Sequence, residues 1–361
     1  MGDLPMSDSF TVRSAIRGTY SVTFINDLHS QSGTLENGNF FIIDEKVAML
    51  FKAELAAVIG NQRSILIASS EKNKTVAYCL EVIRELLAQN VRKNDSLIAI
   101  GGGITQDITA FISSILFRGV DWKFYPTTLL AQCDSCIGSK SSINFDQYKN
   151  LLGTFNPPSE IFIYPGFLKT LTVSEIRSGI GEMLHYFLTE GIWLAQEVAD
   201  GFDRLLENRD TLPHFISNSL RIKKKIIEID EFDTSIRHIF NYGHTFGHAI
   251  EAITNYQIPH GQAVSIGMDL ANYISFSLGM ITAEQFEEMH LILSRNIPPF
   301  AITIANIDEY CKALSRDKKN KGLQLGCILS RGAGRVEKVF LDMDDPFKKM
   351  LLTYSSLYLH A

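Results

Sequence analysis

The apolar positions of the first half fall in short unbroken runs, with helical periodicity between them. "SILIAS" (64–69) and "SLIAI" (96–100) are bounded by polar residues, which predicts buried strands. Residues 73–90, "NKTVAYCLEVIRELLAQN", carry apolar side chains at helical spacing. "DITAFISSILF" does so again after Gly101, Gly102 and Gly103, and "WKFYPTT" reads as a further strand. Strand and helix in alternation predict a parallel sheet faced by helices. Beyond about residue 170 the pattern is mostly helical. "VSEIRSGIGEMLHYFL", "LPHFISNSLRIKKKIIEI", "GHTFGHAIEAI" and "QAVSIGMDLANYISFSL" are long and periodic, while "LQLGCILS" has the form of a strand. The expected organisation is an α/β nucleotide-binding domain with a parallel sheet over 1–170 and a mainly α-helical domain over 171–361.

Composition narrows the function classes. The chain has 361 residues, 45% hydrophobic and 20% charged, as in a globular protein. It lacks an apolar run long enough for a membrane span, and "MGDLPMSDSF" has no apolar core of a secretory leader. The formal charge of −6 argues against a general nucleic-acid binder. Five cysteines, an odd number in a long chain, do not form a disulfide framework and suit the cytoplasm. Cys133 and Cys136 make one C-x-x-C without the further ligands that a structural zinc needs nearby.

Three features carry candidate chemistry. The order strand, Gly101-Gly102-Gly103, helix lets backbone N–H groups approach a pyrophosphate, although a tight turn also explains it. In "NYGHTFGHAIEA", His244 and His248 lie one turn apart on one helix face. Such a pair is either a ligand pair or two polar groups satisfied at a helix interface. His260 in "IPHGQAV" offers a further nitrogen, Glu182 in "SGIGEMLHYF" offers a carboxylate, and His185 shares the face of Glu182 at i+3. A catalytic zinc commonly has three such ligands and an open position. Cations cluster in "DSCIGSKSSINFDQYKNLLG" and in "RIKKKIIEIDEFDTSIRHIFN". A run such as Lys223-Lys224-Lys225 is ordinarily a solvated helix face; lysines in a Gly/Ser-rich loop after a nucleotide-binding sheet are better placed to meet an anion.

Together, "IAIGGGITQDITAFISSILFRGV", "PTTLLAQCDSCIGSKSSIN", "KNLLGTFNPP", "SGIGEMLHYFL", "RHIFNYGHTFGHAIEA" and "HGQAVSIGM" resemble the dehydroquinate synthase family, within the wider sugar-phosphate cyclases. The resemblance covers essentially the whole chain. It implies a divalent metal, zinc or cobalt, held by Glu182, His244 and His260, with His248 facing the substrate. It implies bound NAD, with Glu71, Lys74, Gly102, Gly103, Asp107, Thr127 and Thr128 at its site. Asp134, Lys140, Lys149, Asn150 and the turn ending at Thr170 would lie along cofactor and substrate. Lys223, Arg237, Asn241, His248 and either Lys318 or Lys319 fall where the family grips its anionic sugar phosphate. Arg118 would reach the neighbouring subunit's site, which implies a homodimer. The implied activity is that of a carbon–oxygen lyase. It would oxidise a ring hydroxyl with NAD, eliminate phosphate, return the hydride and close a carbocycle by an aldol step, giving 3-dehydroquinate from 3-deoxy-arabino-heptulosonate 7-phosphate.

The substrate choice rests on a few positions. Arg237 stands where the family binds the substrate carboxylate, and Asn241 and His248 keep the same pattern. Three departures point instead to a specialised relative. His185 replaces the usual lysine, Tyr164-Pro165 replaces Asp-Thr, and Ser139 replaces a glycine. An unperturbed histidine, with a pKa of about 6.5, is mostly neutral where lysine is a fixed cation. The rival readings are a cyclase making an amino-dehydroquinate, an epi-valiolone or an inosose, and, further off, a metal-dependent alcohol dehydrogenase.

Overall fold

The structure is a computed structural model that describes residues 9–28, 39–146, 148–303, 305–316 and 320–359. The chain divides into two compact units: Met1–Thr172 with Asp210–Phe232, and Val173–Arg209 with Asp233–Ala361. A single boundary at 170 therefore misplaces the segment 210–232, whose helix Leu212–Ile227 belongs to the first unit. The reason is polar as well as apolar. Ser219 Oγ donates to Cys133 O at 2.8 Å, and the Lys223 ammonium reaches Asp134.

The first unit is built on a seven-stranded sheet. Its strands are β1 (Phe10–Ser14), β2 (Gly18–Phe24), β3 (Phe40–Asp44), β4 (Ser64–Ile67), β5 (Ser96–Gly101), β6 (Asp121–Pro126) and β9 (Glu160–Ile163), in the order β1-β2-β9-β6-β5-β3-β4. All neighbours are parallel except β1 and β2. An antiparallel ribbon, β7 (Ile143–Phe145) with β8 (Tyr148–Leu152), stands outside it. Strand β5, inside the sheet between β6 and β3, is buried on both faces, which is why its sequence is a continuous apolar run. At the edge, β1 alternates instead, with Val12 buried between exposed neighbours, and no uninterrupted apolar signal marks it. The helix Val76–Ala88 starts at Thr75, whose hydroxyl accepts from Tyr78 N, and buries Cys79, Val82 and Leu86 at helical spacing.

The second unit is mainly helical, with one hairpin, β10 (Gln324–Ser330) and β11 (Val336–Asp342). Its central helix, His260–Ser277, is buried from Gly261 through Ser275, so its sequence is apolar or small almost all round. Among the described residues no helix is long and apolar enough to cross a membrane.

Asp269, fully buried on that helix, accepts from Tyr354 Oη at 2.7 Å and lies 2.8 Å from His290 Nδ1. Burial alone would lower the His290 pKa. The hydrogen bond and charge of Asp269, with Glu287 adding to them, outweigh it and raise the pKa above its ordinary value of about 6.5. A raised folded-state pKa means stability that is full below the unfolded value and is lost as pH rises through the folded one. The stability advantage of the unmutated protein over His290→Asn is therefore expected to shrink as pH rises above about 6.5. Urea melts of both proteins across this range check it, and an advantage that grows with pH would contradict the assignment.

Candidate active site

Three helices of the second unit bring the predicted ligands together. Glu182 lies in the helix Val173–Glu190, His244 opens His244–Ile253, and His260 opens His260–Ser277. Each ligand sits beside a glycine at which backbones touch. A Cβ on Gly181 would stand 1.9 Å from Gly261 O, and one on Gly261 would stand 1.8 Å from Ser178 O. A Cβ on Gly243 would meet Met268 Cγ at 2.4 Å, and one on Gly267 would meet Gly243 O at 2.0 Å. Only glycine permits these approaches, and they fix the spacing of the side chains next to them.

The ligand atoms converge accordingly. Glu182 Oε1 is 3.6 Å from His244 Nε2 and 3.1 Å from His260 Nε2, and the three atoms lie within 4.8 Å of one another. Tetrahedral ligand atoms at about 2.1 Å from a shared ion stand about 3.4 Å apart, so this donor set fits a divalent cation. Both imidazoles are oriented from behind. His244 Nδ1 is 3.2 Å from Tyr242 O, and His260 Nδ1 is 3.1 Å from Glu251 Oε2. Glu182 is 2% exposed. Burial alone would lower the His260 pKa, but its hydrogen bonds to Glu182 and Glu251 overcome this and raise it well above the ordinary value. The cluster thus draws positive charge.

His185 is fully buried behind the ligands, its Nδ1 3.8 Å from Glu182 Oε2. Its ring meets His244, Tyr186 and Phe240 edge-on. His248 is exposed, with its ring stacked on His260 at a centroid distance of 5.6 Å. Arg237 and Asn241 lie in the short helix Ile236–Asn241, where Asn241 Nδ2 donates to His238 O. A cavity of about 300 Å³ adjoins Asn241 and Thr245 and is also lined by His238, Cys327 and Lys338. Lys318 and Lys319 lie outside the described residues.

The first unit holds the other expected residues. The helix Gly103–Ile115 follows β5 through Gly102, with no side chain capping it. A Cβ on Gly103 would find only Ser135 Oγ, at 3.9 Å, so the uncapped N–H groups are open to close approach. This arrangement fits a pyrophosphate. Thr127 N donates to Gly101 O, and Thr128 packs 3.0 Å from the position of a Gly102 Cβ. Lys74, buried, pairs with Asp107 at 2.7 Å. Burial raises the Asp107 pKa against that ion pair and the bonds from Ser142. Asn144 Nδ2 donates to Glu71, and Asn144 Oδ1 accepts from Asn150 N, so the β7–β8 ribbon carrying Lys149 and Asn150 is tied to Glu71. Lys140 and Lys149 are exposed, as is Thr170 at the end of its turn.

One stretch differs from its sequence reading. The lysine run is not a uniformly solvated face: Lys223 is buried and bonds Asp134 Oδ1 at 2.8 Å and Asp134 O at 2.7 Å, while Lys224 pairs outward with Glu228. Arg118, exposed, sits in a turn where Phe117, Arg118 and Gly119 all have positive φ (51°, 63° and 112°). Lys93 holds that turn by donating to Phe117 O at 2.9 Å. Glu251 and Ser142 escaped the sequence reading, although Glu251 falls seven residues after His244, on the same helix face.

A parallel α/β unit together with a mainly helical unit defines a fold class that solved cyclases share. A 2-epi-5-epi-valiolone synthase from Streptomyces hygroscopicus subsp. jinggangensis 5008, solved with NAD+ and Zn2+ bound, has a TM-score of 0.83. It is 24% identical, over 96% of this chain and 99% of its own. A 2-deoxy-scyllo-inosose synthase complexed with carbaglucose-6-phosphate, NAD+ and Co2+ gives a TM-score of 0.81 at 21% identity, over 96% and 100%. Within that class the chain belongs to the 3-dehydroquinate synthase family. Residues 64–178 match the family's N-terminal region and 179–320 its C-terminal region. The 3-dehydroquinate synthase of Dictyoglomus turgidum (strain DSM 6724 / Z-1310) is 37% identical over 308 residues, covering 84% of this chain and 85% of that one. The family consists of enzymes whose reaction eliminates phosphate and closes a ring.

Proposed function

We propose that this protein is an NAD- and divalent-metal-dependent cyclase that converts 3-deoxy-arabino-heptulosonate 7-phosphate to 3-dehydroquinate with elimination of phosphate. The observation that carries the reading is the convergence of Glu182 Oε1, His244 Nε2 and His260 Nε2 in a chain of this family. Those three residues would hold zinc or cobalt, which as a Lewis acid polarises a substrate oxygen. NAD supplies reversible hydride transfer, and its pyrophosphate is assigned to the uncapped turn at Gly102 and Gly103. Glu71, Lys74, Asp107, Thr127, Thr128 and Thr170 are assigned to the same cofactor.

The remaining roles are binding and orientation. Arg237 takes the substrate carboxylate, a match for a planar guanidinium. Lys140, Lys149, Asn150, Asn241 and His248 hold the rest of the substrate, with Lys318 assigned to the same task. Lys223, buried, is fixed by Asp134 and presents a cation whose position does not depend on solvent. Fixed charges of this kind need no reorganisation as charge develops. We further assign a homodimer, with Arg118 serving the partner's site, and a cytoplasmic location, with which the five free cysteines agree. No nucleic acid or membrane partner is assigned.

A second reading is favoured by one observation: His185 is buried beside Glu182 where the family has lysine. It would make the enzyme a cyclase with another substrate, of the amino-dehydroquinate, epi-valiolone or inosose type. Phosphate release separates the two. With NAD+ and zinc or cobalt supplied, release is expected from the heptulosonate phosphate and not from sedoheptulose 7-phosphate or glucose 6-phosphate. Release from a neutral sugar phosphate alone would overturn the first reading. Net NADH accumulation would indicate an alcohol dehydrogenase, because a cyclase returns its hydride.

A further inference from the structure

We infer that Glu251 is a positioning residue that fixes the orientation and proton of His260 for metal binding. The inference rests on the metal reading of Glu182, His244 and His260. His260 is bracketed by two carboxylates: Nε2 lies 3.1 Å from Glu182 Oε1, and Nδ1 lies 3.1 Å from Glu251 Oε2. A ligating imidazole needs a free lone pair on one nitrogen and carries its proton on the other. The Glu251 carboxylate accepts that proton's hydrogen bond at Nδ1, which leaves Nε2 as the donor atom aimed at the cluster.

The two histidine ligands are held unequally. His244 Nδ1 faces a backbone carbonyl, Tyr242 O, at 3.2 Å, while His260 faces a charged group. A carboxylate behind an imidazole makes the opposite nitrogen more basic than a carbonyl does, so His260 is the stronger neutral ligand. Glu251 also completes the local charge. A dication with Glu182 alone would leave one positive charge; Glu251, reached through the His260 ring, balances it. The helix His244–Ile253 supplies both His244 and Glu251, so one rigid element sets a ligand and the support of another ligand.

Glu251 is also near enough to His248 and His260 for these three to hold an ion of their own. That use would require His260 Nδ1 as a ligand, which is incompatible with its proton bonding Glu251. The two arrangements predict different stoichiometries.

Co2+ and Zn2+ affinities of the full chain, measured by competition with a chelator, test the inference. The visible spectrum of bound Co2+ and thermal melts of the metal-free proteins are recorded alongside. The unmutated protein is expected to bind one ion. Glu251→Ala should bind it about 10- to 100-fold more weakly, with an altered Co2+ spectrum and a metal-free melt that stays cooperative, lowered only by the lost bond to His260. Glu251→Gln, whose carbonyl still accepts from Nδ1 but carries no charge, should lose less, about three- to tenfold. Should Glu251→Ala fail to fold, Glu251→Gln carries the test, and affinity within twofold of the unmutated protein would overturn the positioning role. Two ions per chain, reduced to one by Glu251→Ala, would overturn it in favour of a second site. An unmutated chain that binds no metal would remove the metal reading itself, whereas tight binding that ignores residue 251 removes only this inference.

Discussion

Glu182→Gln is expected to lower kcat/KM by roughly a thousandfold, because an ion acting as Lewis acid contributes several kcal/mol and about 4 kcal/mol is three orders of magnitude in rate. The substitution keeps shape and removes charge. Glu182 is 2% exposed, and its Oε1 is the atom shared by both histidine distances, 3.6 Å to His244 and 3.1 Å to His260. A neutral amide there leaves the two imidazoles without the one carboxylate that would join them as a ligand of the dication. Metal content of the purified variant should fall in parallel with turnover, while NAD binding, which the first unit is assigned, should persist. Full metal content with activity within tenfold of the unmutated enzyme would show that Glu182 is not a ligand.

How much of this was legible beforehand differs between fold and site. Strand β5 was readable because a strand buried inside the sheet is a continuous apolar run, and β4 was readable although it lies at the sheet edge, because its exposed residue, Leu66, is itself apolar. Strands β1 and β2 were not, because only alternate residues are buried in them and polar side chains fill the positions between. The helix Leu212–Ile227 was visible as a helix, yet its membership of the first unit was not, since that depends on where Ser219 and Lys223 find polar partners. The ligand trio was legible through its motifs, whereas its geometry was not: spacing places His244 and His248 on one face without saying which turns inward. The structure brings His244 to Glu182 and leaves His248 exposed. Glu251 was hidden for the opposite reason. A glutamate late in an amphipathic helix looks like ordinary surface charge until a ring from another helix is seen against it.

The glycines beside the ligands supply the second large effect. Gly261→Ala is expected to destabilise the protein by about 3 kcal/mol or more, at the upper end of what overpacking costs. Its Cβ would fall 1.8 Å from Ser178 O and 2.7 Å from Ser178 C, and backbone cannot swing aside as a flexible side chain can. The helices Val173–Glu190 and His260–Ser277 would have to part. They meet one residue from Glu182 and one residue from His260, so any separation opens the 3.1 Å approach of those two side chains. Loss of stability and loss of metal affinity should therefore come together. Gly191→Ala provides the contrast: nothing lies within 4 Å of its Cβ position, and its φ is not in the left-handed region. That variant should be neutral or gain up to about 1 kcal/mol through the unfolded chain. Thermal melts and chelator competition on both variants decide the matter. If Gly261→Ala matched Gly191→Ala in both measurements, the helix crossing would not set the site, and the ligands would owe their spacing to the side chains around them.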